Sequence, residues 1–416
     1  MFRFQNGKLI TNAPGQAFIE NGAAVTDGAV IIDVGTRTEM EAKYPEAATI
    51  DANGGLIMPG FIDLESNVRR FLFREKMDRP HSLKLSDLVN AAYALGLECI
   101  KQGITTVFIH YTGLGNVRGS LETIASAFRD CGIRACIGCE TDESLPAKFC
   151  DEAMRENMEF AEYCGALRSD LLRAGFAFRI VSGESIGAHA AYIQRTVADK
   201  PIHITFRDGR MRSDLRNTAM QKLAEIGLLE NNTVISCTDL SPQEATAIKA
   251  AQAAALITDE RDIYDKHDLS SIVRTDAPLV PGIGTADQCL DILEVTRRTV
   301  ESRFASLEND EKTKLAVNML FGTNTEYASN AFGKRLGRIE TGATADIIVL
   351  DCAPYYPIDD TNCMEYVVRN ASACRCTTVM AAGRPLMLDR KILTVDERLI
   401  RLKAEETAKM ISGIQH

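Results

Sequence analysis

A chain of 416 residues with 45% hydrophobic and 25% charged side chains has enough apolar content for one large domain and a smaller one. Its net charge of -10 and pI near 5.3 argue against a nucleic-acid partner or an anionic membrane surface. No apolar run reaches the roughly 18 residues of a membrane span, and Met1-Phe2-Arg3-Phe4-Gln5-Asn6-Gly7 lacks the apolar region of a signal peptide, so a soluble cytoplasmic protein is expected.

Near the N-terminus, residues 17–25 and 28–35 read as strands joined by Asn21-Gly22 and Asp27-Gly28 turns, and 48–51 as a short third. These are too few to close a core. From 58 to 334, short apolar runs alternate with amphipathic helices. The strand-like runs are Thr105–Ile109, Ile133–Gly138, Phe176–Val181, Ile202–Ile204, Val234–Ile235 and Ala255–Ile257, with helical stretches such as Leu88–Gln102, Leu121–Cys131 and Met211–Ile226 between them. Repeated strand–helix units imply a parallel sheet, and the length suits a barrel; the pattern alone leaves a doubly wound sheet equally open.

Beyond the repeats, Ala345–Asp351 and Cys376–Pro385 are β-prone, and Glu397–Ile411 is an amphipathic helix without a cap. The missing strands of the N-terminal region are thus at the other end. Residues 1–57 plus 335–416 are expected to form one composite β-domain, with 58–334 inserted as the barrel domain.

The 12 cysteines are scattered. Cys136 and Cys139 make a C-x-x-C inside an apolar run, which reads as a pair of small buried residues rather than a metal or redox motif. A chain of this size does not depend on disulfides, so free thiols are expected.

One stretch organises the rest. Gly55-Leu56-Ile57-Met58-Pro59-Gly60-Phe61-Ile62-Asp63-Leu64 is an apolar run broken by Pro-Gly and resumed as a buried strand. It resembles the first barrel strand of the amidohydrolase superfamily, and Gly103–Val107 resembles the second. Gly333–Asp351, with its Ala345-Asp346-Ile347-Ile348-Val349 core, and Gly383-Arg384-Pro385 with Thr394–Glu397 resemble the family's C-terminal segments. The resemblance is closest to the triazine hydrolase and guanine deaminase branch. It implies an α/β fold: a (β/α)8 TIM barrel of the metal-dependent-hydrolase type with a small composite β-sandwich from both termini.

In that family a His-X-His pair on strand one, one His each on strands five and six, and an Asp on strand eight hold zinc or iron, which lowers the pKa of bound water. The matching positions here are Glu65, Asn67, Thr205, Ser236 and Ala286. His203 falls two residues before the strand-five ligand, and Asp208 falls on the proton-shuttling Glu. All five ligands are replaced, so no metal and no other cofactor is expected.

A barrel places its site at the strand C-termini. The residues expected there include Glu65, Asn67, Arg69 and Arg70, His110 and Tyr111, Cys139 and Glu140. Arg207, Asp208, Ser236, Cys237, Asp239, Thr285 and Asp287 follow from later strands. Among them Glu65, His110 and Asp208 are the candidates for proton transfer. Asn67, Arg69, Arg207, Cys237 and Thr285 are the candidates for holding substrate. The function implied is hydrolysis of a non-peptide C–N bond in a small nitrogen-rich molecule by metal-independent chemistry, or binding of such a ligand. The alternative is a catalytically inactive subunit that serves a partner, and a third reading relocates the metal to Glu65, His110 and Asp287. The partners expected are a small molecule and, as the resemblance implies, a second copy in a homodimer.

Overall fold

The computed structural model describes residues 1–68, 84–113, 117–181, 200–206, 213–237, 239–257, 268–282, 291–352 and 354–412. The chain opens with β1 (Phe2–Ala13), β2 (Gln16–Asp27), β3 (Val30–Thr36), β4 (Ala48–Asp51) and β5 (Leu56–Pro59). It continues through β6 (Phe61–Ser66), β7 (Ile104–Tyr111), β8 (Arg134–Asp142), β9 (Leu172–Ala174), β10 (Phe176–Ile180), β11 (Ile202–Phe206), β12 (Thr233–Cys237), β13 (Ala254–Ile257) and β14 (Leu279–Pro281). It ends with β15 (Ile347–Asp351), β16 (Arg375–Ala381), β17 (Arg384–Leu388) and β18 (Lys391–Ile392).

Two sheets account for these strands. In the first, the order β18-β17-β16-β15-β5-β1-β2-β3, with β4 on β1, joins both ends of the chain. Its interior is lined by Phe4, Leu9, Ile31, Ile57, Ile347 and Met380. In the second, β6, β7, β8, β10, β11, β12, β13 and β14 follow one another in parallel, and β9 pairs with β8. β14 returns beside β6, which nearly closes the barrel. A Cβ on Gly282, just past β14, would sit 2.8 Å from Glu65 Oε2 and 3.1 Å from Glu65 Cβ, so the residue that brings last strand to first has room for no side chain. The expected TIM barrel with a terminal β-sandwich is the architecture observed.

Pro59-Gly60 is the crossing point. β5 belongs to the terminal sheet and β6 to the barrel. Between them the Gly60 amide donates to the Asp346 carbonyl (3.0 Å) and the Phe61 amide to the Gly103 carbonyl (2.9 Å).

The base of the barrel is sealed. The helix Asn324–Phe332 packs Tyr327, Ala328 and Phe332 against Ile62, Leu64, Phe108, Cys136 and Val234. Phe108 meets the rings of Tyr327 and Phe332 at 5.5 and 5.9 Å, and Tyr327 Oη donates to the Asn232 carbonyl at 2.9 Å. Beside this plug lies a buried ion pair between Arg134 and Asp346, both almost wholly excluded from solvent. Arg134 Nη1 also donates to Thr106 Oγ1 (3.1 Å), and its guanidinium stands 5.7 Å from the Phe332 ring. Asp346 Oδ1 accepts from the Ala382 amide (2.6 Å).

Four expectations are corrected. β1 is a central strand that the sequence reading did not contain. Asn6 (φ 61°) and Asn12 (φ 53°) break its alternation, and register shifts around Gly7 absorb the break. The eighth barrel strand is Leu279–Pro281, ahead of the expected Gly282–Asp287 run, of which only Gly282 lies within the described residues. Cys352 and Cys374 form a disulfide, with Cα atoms 5.4 Å apart, where free thiols were expected. The antiparallel pairing of Leu350 with Cys376 and Asp351 with Arg375 carries the two cysteines to facing positions. Finally, the terminal helix Glu397–Ser412 is capped: Asp396 Oδ1 accepts from the Leu399 amide at 3.0 Å.

Breaking one side of the buried pair leaves an uncompensated charge. Arg134→Met is expected to lower the unfolding free energy by about 3–5 kcal/mol, read as a shift of the urea midpoint. The double variant Arg134→Met/Asp346→Leu is expected to recover much of that loss.

Candidate active site

The mouth of the barrel starts at a bulge. Ile62 and Leu64 point into the barrel core, but between Asp63 and Ser66 the pairing with β7 shifts. Asp63 is fully buried; its Oδ1 accepts from the Glu65 amide (3.0 Å) and its Oδ2 from the Ser66 hydroxyl. This local ring fixes the extra residue and turns Glu65 inward as well. Glu65 reaches across the mouth, where its Oε1 accepts a long hydrogen bond (3.5 Å) from Ser236 Oγ of β12.

Ser236 is shared. His203 of β11 places Nε2 2.6 Å from Ser236 Oγ. The His203 ring packs against that of His110, from the end of β7, with centroids 3.8 Å apart and planes tilted by 47°. His110 Nε2 lies 3.4 Å from the Leu64 carbonyl oxygen. The four side chains therefore run in one file across the mouth, Glu65–Ser236–His203–His110. Parallel pairing explains the meeting. Thr205 faces Ser236, His203 faces Val234 and Ala177, and residues two apart on a strand share a face. On the neighbouring strands Arg179 donates to both oxygens of Glu140 (3.0 and 3.1 Å) and stands 3.6 Å from Asp142.

Both imidazoles are neutral at pH 7. Burial pushes His110 down to about 4, against a smaller opposite effect of the Leu64 carbonyl. Burial also holds His203 well below the ordinary range, helped by His110 and Arg179 nearby. Neutral rings can stack at this distance because neither brings a charge into the barrel.

Of the expected site residues, Glu65 and His110 are brought to this file, and Asn67 follows directly after β6, half-buried. Arg69, Arg70, Arg207, Asp208, Thr285 and Asp287 lie outside the described residues; Cys237 ends β12, but its side chain lies outside them too. Tyr111 and Cys139, expected at the mouth, are corrected. Both are buried in the layer between barrel and helices, because each follows or precedes an inward residue by one position. Burial drives the Cys139 thiol upward in pKa and leaves it inert. Cys136 faces the barrel core, so the C-x-x-C joins no common site. His203 and Ser236 are the functional residues the sequence reading did not pair, although the two-residue step from His203 to Thr205 marks a shared face.

A family model described as the Amidohydrolase family matches residues 222–386. The chain is 22% identical over 443 residues to a 5-methylthioadenosine/S-adenosylhomocysteine deaminase of Syntrophomonas wolfei, with 98% of each chain covered. It is 22% identical over 404 residues to a 5'-deoxyadenosine deaminase of Methanobrevibacter smithii, covering 86% of this chain and 87% of the other. In fold it is similar to a zinc-complexed atrazine chlorohydrolase of Arthrobacter aurescens (TM-score 0.78, 16% identity, 98% and 100% covered). A zinc-bound adenosine deaminase of Xanthomonas campestris gives a TM-score of 0.80 at 16% identity with 99% of each chain covered. Residues 222–386 thus match the Amidohydrolase family, and the chain as a whole shares the fold of these solved hydrolase structures.

The superfamily's zinc or iron is a poor fit to the residues at hand. Glu65, Asn67, Thr205 and Ser236 offer a carboxylate, an amide and two hydroxyls where imidazoles are the usual donors. The nearest imidazoles stack instead of converging, and His203 Nε2 is engaged by Ser236. Among the described residues no three His, Cys, Asp or Glu side chains are grouped to hold an ion.

The neutral histidines give this protein a stability signature. A histidine whose folded pKa lies below its unfolded value near 6.5 contributes stability that is present above that pH and fades as the pH falls, because only the unfolded chain takes up the proton. Stability is expected to drop between pH 6.5 and about 4, and His110→Gln is expected to flatten that slope in urea titrations. In imidazole NMR spectra His110 should titrate near pH 4; a midpoint near 6.5 would contradict its burial.

Proposed function

We propose that this protein hydrolyses a non-peptide C–N bond of a small nitrogen-rich molecule without the superfamily's metal. The observation that carries the reading is the file Glu65–Ser236–His203–His110 at the open end of a barrel sealed at its base. A disused pocket has no need of ionisable side chains converging in a partly desolvated place, since each costs free energy unless partnered. The deaminase names of the relatives support an amine as the group released.

In this reading Glu65 takes and returns protons at the reacting carbon. Asp208 matches the family's proton-shuttling position and shares that task at the leaving nitrogen. His110, neutral and fixed by its stacking, offers a hydrogen bond to the heterocycle. Asn67, Arg69, Arg207, Cys237 and Thr285 hold the substrate, the arginines suiting a carboxylate or phosphate on it. The protein is taken as a cytoplasmic homodimer with 1–57 plus 335–416 as its β-domain and 58–334 as its barrel domain. Among the described residues no helix is long and apolar enough to cross a membrane.

Release of ammonia or amine is to be measured over adenosine-type nucleosides, aminotriazines and aminopurines, using protein purified without chelators and assayed for zinc and iron. The expected outcome is turnover with substoichiometric metal, and a fall in kcat of about 10²–10⁴-fold in Glu65→Gln. Stoichiometric zinc or iron that activity requires would overturn the metal-free reading. Absence of turnover alone, with turnover appearing only beside an intact paralogue, would favour the silent subunit.

A further inference from the structure

We propose that Ser236 is a nucleophile and His203 its base, so that C–N cleavage at this mouth passes through a covalent intermediate. The substrate side of this proposal rests on the hydrolase reading above; the Ser–His chemistry stands on its own geometry. Ser236 Oγ and His203 Nε2 are 2.6 Å apart, inside the reach required of a nucleophile and the group that takes its proton. A single hydroxyl proton faces two acceptors, and Glu65 Oε1 at 3.5 Å is much the farther. With its own proton on Nδ1, His203 accepts from Ser236.

Three further observations fit. His203 is 4% exposed and its ring is held against His110, so the base is pre-set in one orientation rather than recruited from solvent. Burial keeps it unprotonated at pH 7, which leaves Nε2 open to accept, while the same burial opposes the imidazolium, so the proton must pass on to the leaving nitrogen. Ser236 is only half-buried and stands on the barrel's inner face beside Thr205 and Glu65, so the hydroxyl is the more open member of the pair, and a carbon bound to Oγ brings its nitrogen to Nε2, 2.6 Å away.

The steps balance as follows. Ser236 Oγ bonds to the carbon that carries the nitrogen while its proton passes to His203 Nε2. The C–N bond breaks, the nitrogen takes the proton from His203, and the amine leaves. A water molecule then attacks the same carbon and gives a proton to Glu65, which lies against the new Oγ–C bond. The Oγ–C bond breaks, Ser236 recovers a proton from Glu65, and the hydroxylated product departs. Two bases serve two half-reactions, and no oxidant or reductant is consumed.

The test needs no substrate. The intact protein is treated with a fluorophosphonate at pH 7.5, and the adduct is located by peptide mass spectrometry. Stoichiometric adduct on Ser236 is expected, with none in Ser236→Ala and labelling at least about tenfold slower in His203→Gln. No adduct in natively folded protein, an adduct elsewhere, or an undiminished rate in His203→Gln would overturn the proposal. Should His203→Gln fail to fold, Ser236→Cys replaces it. Iodoacetamide at pH 6.5 should alkylate that thiol faster than free cysteine, because the imidazole lowers its pKa; a slower rate overturns the assignment. Amine release without labelling would leave the hydrolase reading and remove the nucleophile. Labelling without amine release would keep the nucleophile and direct the search to esters.

Discussion

The buried Arg134–Asp346 pair is the constraint on which the two sheets depend. An ion pair this far from water gains little by itself, because desolvation offsets the attraction unless the remaining polar atoms are also served. Here Thr106 accepts from the guanidinium, the Ala382 amide donates to the carboxylate, and the Phe332 ring lies within cation–π range, while Arg134 Nε and Nη2 find no hydrogen-bond partner among the described residues. Those partners come from a barrel strand, the β16–β17 turn and the plugging helix. The pair therefore fixes three elements relative to one another, which a nonpolar contact of similar area would do less specifically. Asp346 acts twice, since its carbonyl also accepts the Gly60 amide at the point where the chain passes from terminal sheet to barrel.

That crossing determines what reaches the mouth. With β6 anchored at Gly60 and Phe61, its inward positions are Ile62 and Leu64, and continued alternation would next bring Ser66 inward. Asp63 prevents this by holding the Glu65 amide and the Ser66 hydroxyl together in a bulge. A single carboxylate outside the site thus selects which side chain of the strand end faces substrate. Gly282 completes the arrangement from the other side, since any side chain there would displace Glu65. Base and mouth are coupled through one short strand.

Much of this architecture was legible because it rests on local patterns. Apolar runs of two to six residues located the barrel strands, and the Pro59–Asp63 and Ala345–Asp351 segments marked the crossing. What was not legible depends on partners distant in sequence. β1 carries two asparagines in left-handed conformations, which local reasoning reads as turns; its neighbours β2, β4 and β5 make it a strand. The Cys352–Cys374 bond follows from the β15–β16 register, and no spacing of cysteines reveals a register. In the site, Glu65 and His110 could be nominated from strand ends alone. Tyr111 and Cys139 were nominated for the same reason and failed by parity, as adjacent strand residues face opposite ways. The Ser236–His203 contact needed both the β11–β12 register and the inward parity of each strand. Asp208, Arg69, Arg207 and Thr285 remain nominations from sequence.

The chemistry follows from what replaced the family's imidazoles. A metal hydrolase lowers the pKa of bound water and so makes hydroxide available at neutral pH. In the proposed metal-free reading, with carboxylate, amide and hydroxyl side chains at the ligand positions, attack on carbon is promoted in another way. Neutral water is a weak nucleophile, and one general base improves it by only a few orders of magnitude. A hydroxyl already positioned against a neutral imidazole adds the advantage of proximity, because the attacking atom is part of the protein and loses no translational freedom on reaction. Glu65 then has a distinct task, which its distance from Ser236 suits: at 3.5 Å it is a poor partner for the free serine but well placed for the water that attacks an ester at Oγ. Two residues at the family's ligand positions, Glu65 and Ser236, thus provide together with His203 the separate acid–base groups that the proposed two-step route requires.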